Sequence, residues 1–187
     1  GVGGSAGGIG LVGGLRGKLG LRWTEPRIVL LGAGGAARGV IGPLLELHPR
    51  ALVIANRTVA RADQLVREFA PFGPVSGCAF GELQQEHFDL IINATSASLR
   101  GEVPAIPSGV VDALTTCYDM SYGTTETPFT NWGRAHGAER SVQGWGMLVE
   151  QAAEAFNLGR GVRPSTPPVL AALRDRALTL ASARTRA

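Results

Sequence analysis

Lysine is nearly missing from this chain of 187 residues: of 18 cationic side chains one is Lys18 and the rest are arginines, scattered without a run of like charge. Aromatic residues are also sparse, at 6%, and the formal net charge is only +3. Nucleic-acid binding usually calls for a clustered basic patch interleaved with aromatics for stacking, so the composition argues against that partner. There are two cysteines, Cys78 and Cys117, and three histidines, His48, His87 and His136, all far apart in sequence. That is too few and too scattered for a disulfide framework or a metal site, so the expectation is a metal-free protein of the cytoplasm. Arg27, Arg38 and Glu46 interrupt the most hydrophobic region, so nothing approaches the roughly 18 apolar residues of a membrane span. The start has no basic flank followed by an apolar block, as a signal peptide would. It also has no initiator Met, which reads as a processed or cut chain.

Glycine, by contrast, is abundant: there are 27, and ten of them fall in residues 1–20. Ordering glycine costs the most backbone entropy, so residues 1–24 read as a loose lead-in and linker rather than a core element. Residues 25–187 read as one folded domain, in keeping with the usual domain size.

That domain alternates strand and helix signatures. Short apolar, β-branched runs at 27–32, 51–55, 75–79, 88–92 and 115–120 read as buried parallel strands. Helical patterns fill 36–47, a stretch to Phe69 capped by Thr58 with Leu65, Val66 and Phe69 on one face, a segment starting at Pro128, residues 146–156, and a last helix after Thr166. The expectation is an α/β fold, a Rossmann-like doubly wound parallel sheet with helices on both faces.

The turn after the first strand is Gly32-Ala33-Gly34-Gly35-Ala36-Ala37, a G-x-G-x-x-A motif between a strand and a helix. Gly32 permits a tight turn, Gly34 lets a pyrophosphate approach the backbone, and the small Ala37 lets helix and strand pack closely. The helix N-terminus supplies free N–H groups and the positive end of its dipole. Sites for NAD place an acidic residue about 20 residues further on, against the ribose 2′-hydroxyl. Here the second strand runs into Asn56-Arg57-Thr58, with Arg61 one turn later. A carboxylate repels a 2′-phosphate whereas guanidinium groups clamp it, so the expected cofactor is NADP. The bland alternative is a pair of solvated arginines at a helix start.

The runs LLGAGGAARGV, ANRTVARA, FDLIINATS, CYDMSY, TPFTNW and GWGMLVEQAAEAF, in this order, resemble the cofactor domain of the shikimate dehydrogenase family over Gly8 to about Leu173. The resemblance implies an oxidoreductase that reversibly reduces 3-dehydroshikimate to shikimate with NADPH, in aromatic amino-acid (chorismate) biosynthesis. It implies an N-terminal substrate domain, absent from this chain, joined to the NADP domain. At matching positions Gly32, Ala33, Gly34, Gly35 and Ala36 would hold the pyrophosphate, and Asn56, Arg57, Thr58 and Arg61 the 2′-phosphate. Asn93 and Thr95 would border the nicotinamide, the backbones of Met120 and Gly144 would meet its carboxamide, and Met147 would lie nearby. Tyr122 and Gln151 would reach substrate. Each has a plainer alternative: Tyr122 as a loop aromatic, Gln151 as the polar face of a helix, Asn93 as a loop-backbone partner, Asp119 and Cys117 as supports of a strand end.

The family's proton-transfer pair, a lysine and an aspartate, has no counterpart. Lys18 is misplaced for the first, and Gly7 stands at the aspartate position before Gly8-Ile9-Gly10-Leu11. No catalytic residue is therefore assigned, and the chain is expected to bind NADPH without turnover. Two other readings stay open: a non-catalytic NADP-binding or sensor module, and a relative acting on quinate, often with NAD. A homodimer is likewise left open.

Overall fold

A computed structural model of the chain describes residues 23–83, 86–121 and 125–144. The expected lead-in, the helices at 146–156 and after Thr166, Gly7, Lys18, Tyr122, Met147 and Gln151 lie outside the described residues.

Six strands form one wholly parallel sheet: β1 (Arg27–Leu31), β2 (Ala51–Asn56), β3 (Val75–Ala79), β4 (Leu90–Asn93), β5 (Thr116–Asp119) and β6 (Arg140–Gln143). Their spatial order is β3-β2-β1-β4-β5-β6. The chain winds outward from β1 to β3, returns to the middle, and winds the other way from β4 to β6. The two halves meet between β1 and β4, where Leu31 pairs with Asn93. Connections leaving the two strand ends there diverge, so a crevice opens above their carboxyl ends, where sheets of this kind bind ligands.

Side chains alternate across the pleat, which gives the sheet two cores. Ile28 and Leu30 of β1, with Leu52, Ile54, Leu90, Ile92 and Tyr118, pack under α1 (Gly35–Leu45) and α2 (Val59–Phe69) through Ala37, Val40, Ile41, Leu44, Ala62, Leu65 and Phe69. Val29 and Leu31, with Ile91 and Cys117, face the opposite core, closed by Phe88, Val110, Val111 and Phe129 of α3 (Pro128–Ala135). Both faces of β1 and β4 are buried, which is why their sequences are continuous apolar runs.

The structure departs from the sequence reading in three places: strand β6, the end of α1 and the cap of α2. Strand β6 was not expected: Arg-Ser-Val-Gln has one apolar residue and no buried position, as an outer strand can. The links from β3 to β4 and from β4 to β5, where the sequence reading named no helix, contain short 3₁₀ turns, Phe80–Glu82 in the first and Ala97–Arg100 and Ser108–Val110 in the second. In the second link Gly101, Pro104 and Pro107 break any helical run. Helix α1 stops at Leu45 rather than Leu47, and His48, held before Pro49, takes φ +51°. Thr58 occupies the N-cap position of α2, yet its side chain makes no capping hydrogen bond.

Candidate functional site

The loop after β1 is built around Gly32. Its φ of +111° is open to glycine and strained for any other residue, and an added Cβ would lie 3.2 Å from the backbone carbon and oxygen of Ala94 and 3.3 Å from Cγ2 of Thr95. The glycine loop therefore rests directly on the loop after β4. Gly34 and Gly35 are different: both are exposed, and a Cβ at either would meet nothing within 4 Å. Space for an approaching group is left on this side of the turn.

Helices α1 and α2 both begin at this edge, and both N-termini lack a side-chain cap and an acidic residue in the first turn. Helix α3 offers the contrast, with Thr127 accepting from the backbone N–H of Thr130 at 3.3 Å. Uncapped first turns carry free N–H donors and a positive dipole end, the arrangement that suits a phosphate. At the end of β2 the Asn56 amide donates to the Thr58 carbonyl at 3.0 Å and shapes the turn into α2. Arg57, Thr58 and Arg61 are exposed. Arg27, Arg38, Arg50, Arg100 and Arg134 each pair with a glutamate, whereas Arg57 and Arg61 have no ion pair among the described residues. The pyrophosphate and 2′-phosphate residues named from the sequence are thus brought to one edge of the sheet, with charge and space that suit a phosphorylated nucleotide.

Asn93 and Thr95 lie at the same edge in a different role. Asn93 is fully buried, and its Oδ1 accepts from the Thr95 N–H at 3.1 Å and the Thr95 hydroxyl at 2.6 Å. Its Nδ2 faces Oδ1 of the equally buried Asp119 at 3.4 Å. The side chain thus shapes the loop from within, the plainer of the two roles considered for it, and the half-buried Thr95 is the member of the pair that reaches the surface. Thr95 Oγ1 in turn accepts from the N–H of Ala97 at 3.2 Å.

At the ends of β5 and β6, the Met120 N–H donates to the Asn93 carbonyl at 3.0 Å and the Gly144 N–H to the Ser121 carbonyl at 3.2 Å. With both N–H groups engaged, carbonyl oxygens are what these two residues can offer a ligand. Gly144 must be glycine, because a Cβ would sit 2.7 Å from the Met120 oxygen. Ser98 and Ser121 were not singled out in the sequence. Their partner is Asp119, in Ser98's case 21 positions away, and no local pattern announces that contact.

Burial raises the Cys117 thiol to about 12, and burial followed by the nearby Glu82 raises Cys78, so neither is an activated nucleophile. Among the described residues no group of three His, Cys, Asp or Glu could hold a metal ion, and no helix is long and apolar enough to cross a membrane. A cavity of about 250 Å³ lined by Pro43, Leu45, His48, Phe69 and Phe72 lies at the far ends of α1 and α2 and shares no residue with the glycine edge.

Comparison with known proteins follows the same outline. The family model "Shikimate / quinate 5-dehydrogenase" matches residues 16–101, and "Shikimate 5'-dehydrogenase C-terminal domain" matches residues 144–174. Shikimate dehydrogenase (NADP(+)) of Methylococcus capsulatus is 54% identical over 166 residues, covering 89% of this chain and 60% of that protein. A crystal structure of an Ael1 enzyme from Pseudomonas putida superposes with TM-score 0.83 at 42% identity, over 90% of this chain and 62% of the other. Shikimate 5-dehydrogenase from Thermus thermophilus, solved with NADP(H) and shikimate, gives TM-score 0.75 at 28% identity, over 92% and 62% of the two chains. The chain thus spans about 54–65% of the length of the curated relatives it matches. With the two family models together covering more than half of it, and a curated relative 54% identical over 89% of it, the chain belongs to the shikimate/quinate dehydrogenase family.

Proposed function

We propose that the chain is the NADP-binding part of a dehydrogenase that reversibly reduces 3-dehydroshikimate to shikimate, and that these 187 residues by themselves bind NADPH without turning substrate over. The observation that carries the reading is the glycine edge: room above Gly34 and Gly35, two uncapped helix N-termini, and beside them Arg57 and Arg61, which have no ion pair among the described residues.

In this reading the backbone N–H groups from Gly34 to Ala36 receive the pyrophosphate, with Gly32 and Ala33 shaping the turn. Arg57 and Arg61 clamp the 2′-phosphate, with Asn56 and Thr58 forming the turn below it. Thr95 and the carbonyls of Met120 and Gly144 border the nicotinamide, Asn93 supports Thr95 from behind, Met147 lies close, and Tyr122 and Gln151 face substrate. NADPH, when bound, supplies the hydride that a ring ketone accepts. The ketone oxygen then needs a proton, and no residue of this chain is assigned to deliver it. Residues 25–187 form the cofactor domain and 1–24 the link to the substrate-binding part, and the protein works in the cytoplasm.

The test is a titration of the purified chain with NADPH and with NADH. NADPH is expected to bind more tightly, and Arg57→Ala to cost about 1–3 kcal/mol of NADPH affinity, the scale of a hydrogen bond to a charged group, with little change for NADH. Equal affinity for the two cofactors removes the 2′-phosphate assignment and favours the relative that uses NAD with quinate.

A further inference from the structure

Asp119 is the last residue of β5, fully buried, and in register with Asn93 of β4. Its carboxylate accepts three hydrogen bonds: from Ser98 Oγ at 2.6 Å to Oδ2, and from the Ser121 N–H at 2.9 Å and Asn93 Nδ2 at 3.4 Å to Oδ1. No cationic side chain pairs with it among the described residues. Burying a carboxylate without a cation is costly, and the fold offsets that with three donors from three different segments.

The segments are what matter. Ser98 belongs to the turn after β4, Ser121 to the loop after β5, and Asn93 holds Thr95 by two hydrogen bonds. A Cβ at Gly32 would meet the Ala94 backbone at 3.2 Å and Thr95 Cγ2 at 3.3 Å, so the glycine turn rests on this loop, and the Ser121 carbonyl receives the Gly144 N–H after β6. One side chain therefore ties together the loops after β4 and β5, and through them reaches those after β1 and β6. Hydrophobic packing of the strands does not need this, since the network stands above the core at the carboxyl edge of the sheet.

We propose that Asp119 is a positioning residue for the nicotinamide half of the cofactor: it sets Thr95, Met120 and Gly144 relative to the glycine turn. The proposal rests on the NADP-binding reading above. It predicts a split between ligands that a general structural role would not produce. Adenosine 2′,5′-bisphosphate reaches Arg57, Arg61 and the helix N-termini but has no nicotinamide, whereas NADPH spans both halves.

The experiment measures the affinity of the chain for each ligand in Asp119→Ala, Ser98→Ala and Asp119→Asn, with thermal melting alongside. Asp119→Ala and Ser98→Ala are expected to weaken NADPH on the order of tenfold while leaving adenosine 2′,5′-bisphosphate within about twofold, as loss of a hydrogen bond to a charged group at one end of the site would. Asp119→Asn keeps an acceptor for the Ser121 N–H, and the Ser98 hydroxyl can rotate to accept from the new amide, so it should recover most of the NADPH affinity. Ser98→Ala removes a single anchor and keeps the test alive should Asp119→Ala fail to fold. Equal weakening of both ligands, or of neither, overturns the proposal. If the unsubstituted chain binds neither ligand, the NADP reading itself falls and takes this inference with it.

Discussion

At the scale of single residues, the glycines of the first turn divide by physical demand. Gly32 is held by conformation and by contact, while Gly34 and Gly35 face open space. Gly32→Ala places a side chain at φ +111° and pushes Cβ into the Ala94 backbone, so it should lower stability by about 1–3 kcal/mol, the usual cost of a residue forced into such a conformation. Chemical denaturation of the two proteins checks this, and a loss near zero would mean the two loops part easily. Gly34→Ala has room for its methyl and should leave the fold intact. The glycines were legible in the sequence because a tight turn restricts residue type locally; Arg57 and Arg61 stood out because they replace the acidic residue expected after the second strand, the basis of the proposed 2′-phosphate clamp. The Asp119 network was legible only as a strand-end support. Ser98 and Ser121 are common residues whose meaning comes from a carboxylate that the fold carries to them.

At the scale of elements, five of the six strands could be read because β1, β2, β4 and β5 are buried enough to demand apolar runs and β3 continues the pattern. Strand β6 could not, since an outer strand satisfies its backbone on one side and needs little apolar surface. The opposite edge of the sheet carries a second tie. The His87 ring bonds Asp89 at 2.9 Å through Nε2 and Asp112 at 2.7 Å through Nδ1, joining the entry to β4 to the segment before β5. The bond to Asp89 is the main cause that raises His87 above its ordinary 6.5, against a smaller effect of burial, and Asp112 adds to it. For Asp112 burial works upward as the largest single cause, yet the Leu114 N–H and the His87 ring outweigh it, so its carboxyl lies below the ordinary 3.8. A raised histidine stabilises the fold fully below its unfolded value and loses that contribution as pH climbs through the folded one; a lowered aspartate stabilises above its unfolded value and fails as pH drops through the folded one. The tie should therefore be complete between about pH 3.8 and 6.5. Melting temperatures of the chain and of His87→Gln should differ most near pH 6 and converge as pH rises toward 9. A gap that is constant over that range would show that the ring acts through packing instead of charge.

At the scale of the whole molecule, the proposal that these 187 residues bind NADPH without turnover turns on which groups could supply a proton. Hydride addition to a ketone leaves an alkoxide that must be protonated or stabilised, and a positioned acid is typically worth about 10²–10⁴-fold in rate. Winding sends His48, His87 and His136 to the wrong place: each lies between the end of one element and the start of the next strand, at the amino edge of the sheet. Among the described residues the glycine edge has Asp119, which is buried and already engaged by three donors, and Arg57 and Arg61, which do not give up a proton. The single lysine, Lys18, and the glycine at position 7 leave the family's pair unfilled in the sequence. The expected outcome is a chain that quenches or shifts NADPH fluorescence on binding while showing no shikimate-dependent reduction of NADP⁺ above background. The assay must be run on material purified from a host deleted for its own enzyme. Turnover that scales with chain concentration there would mean that this chain does supply an acid to the glycine edge, with Lys18 and Tyr122 the side chains to substitute first.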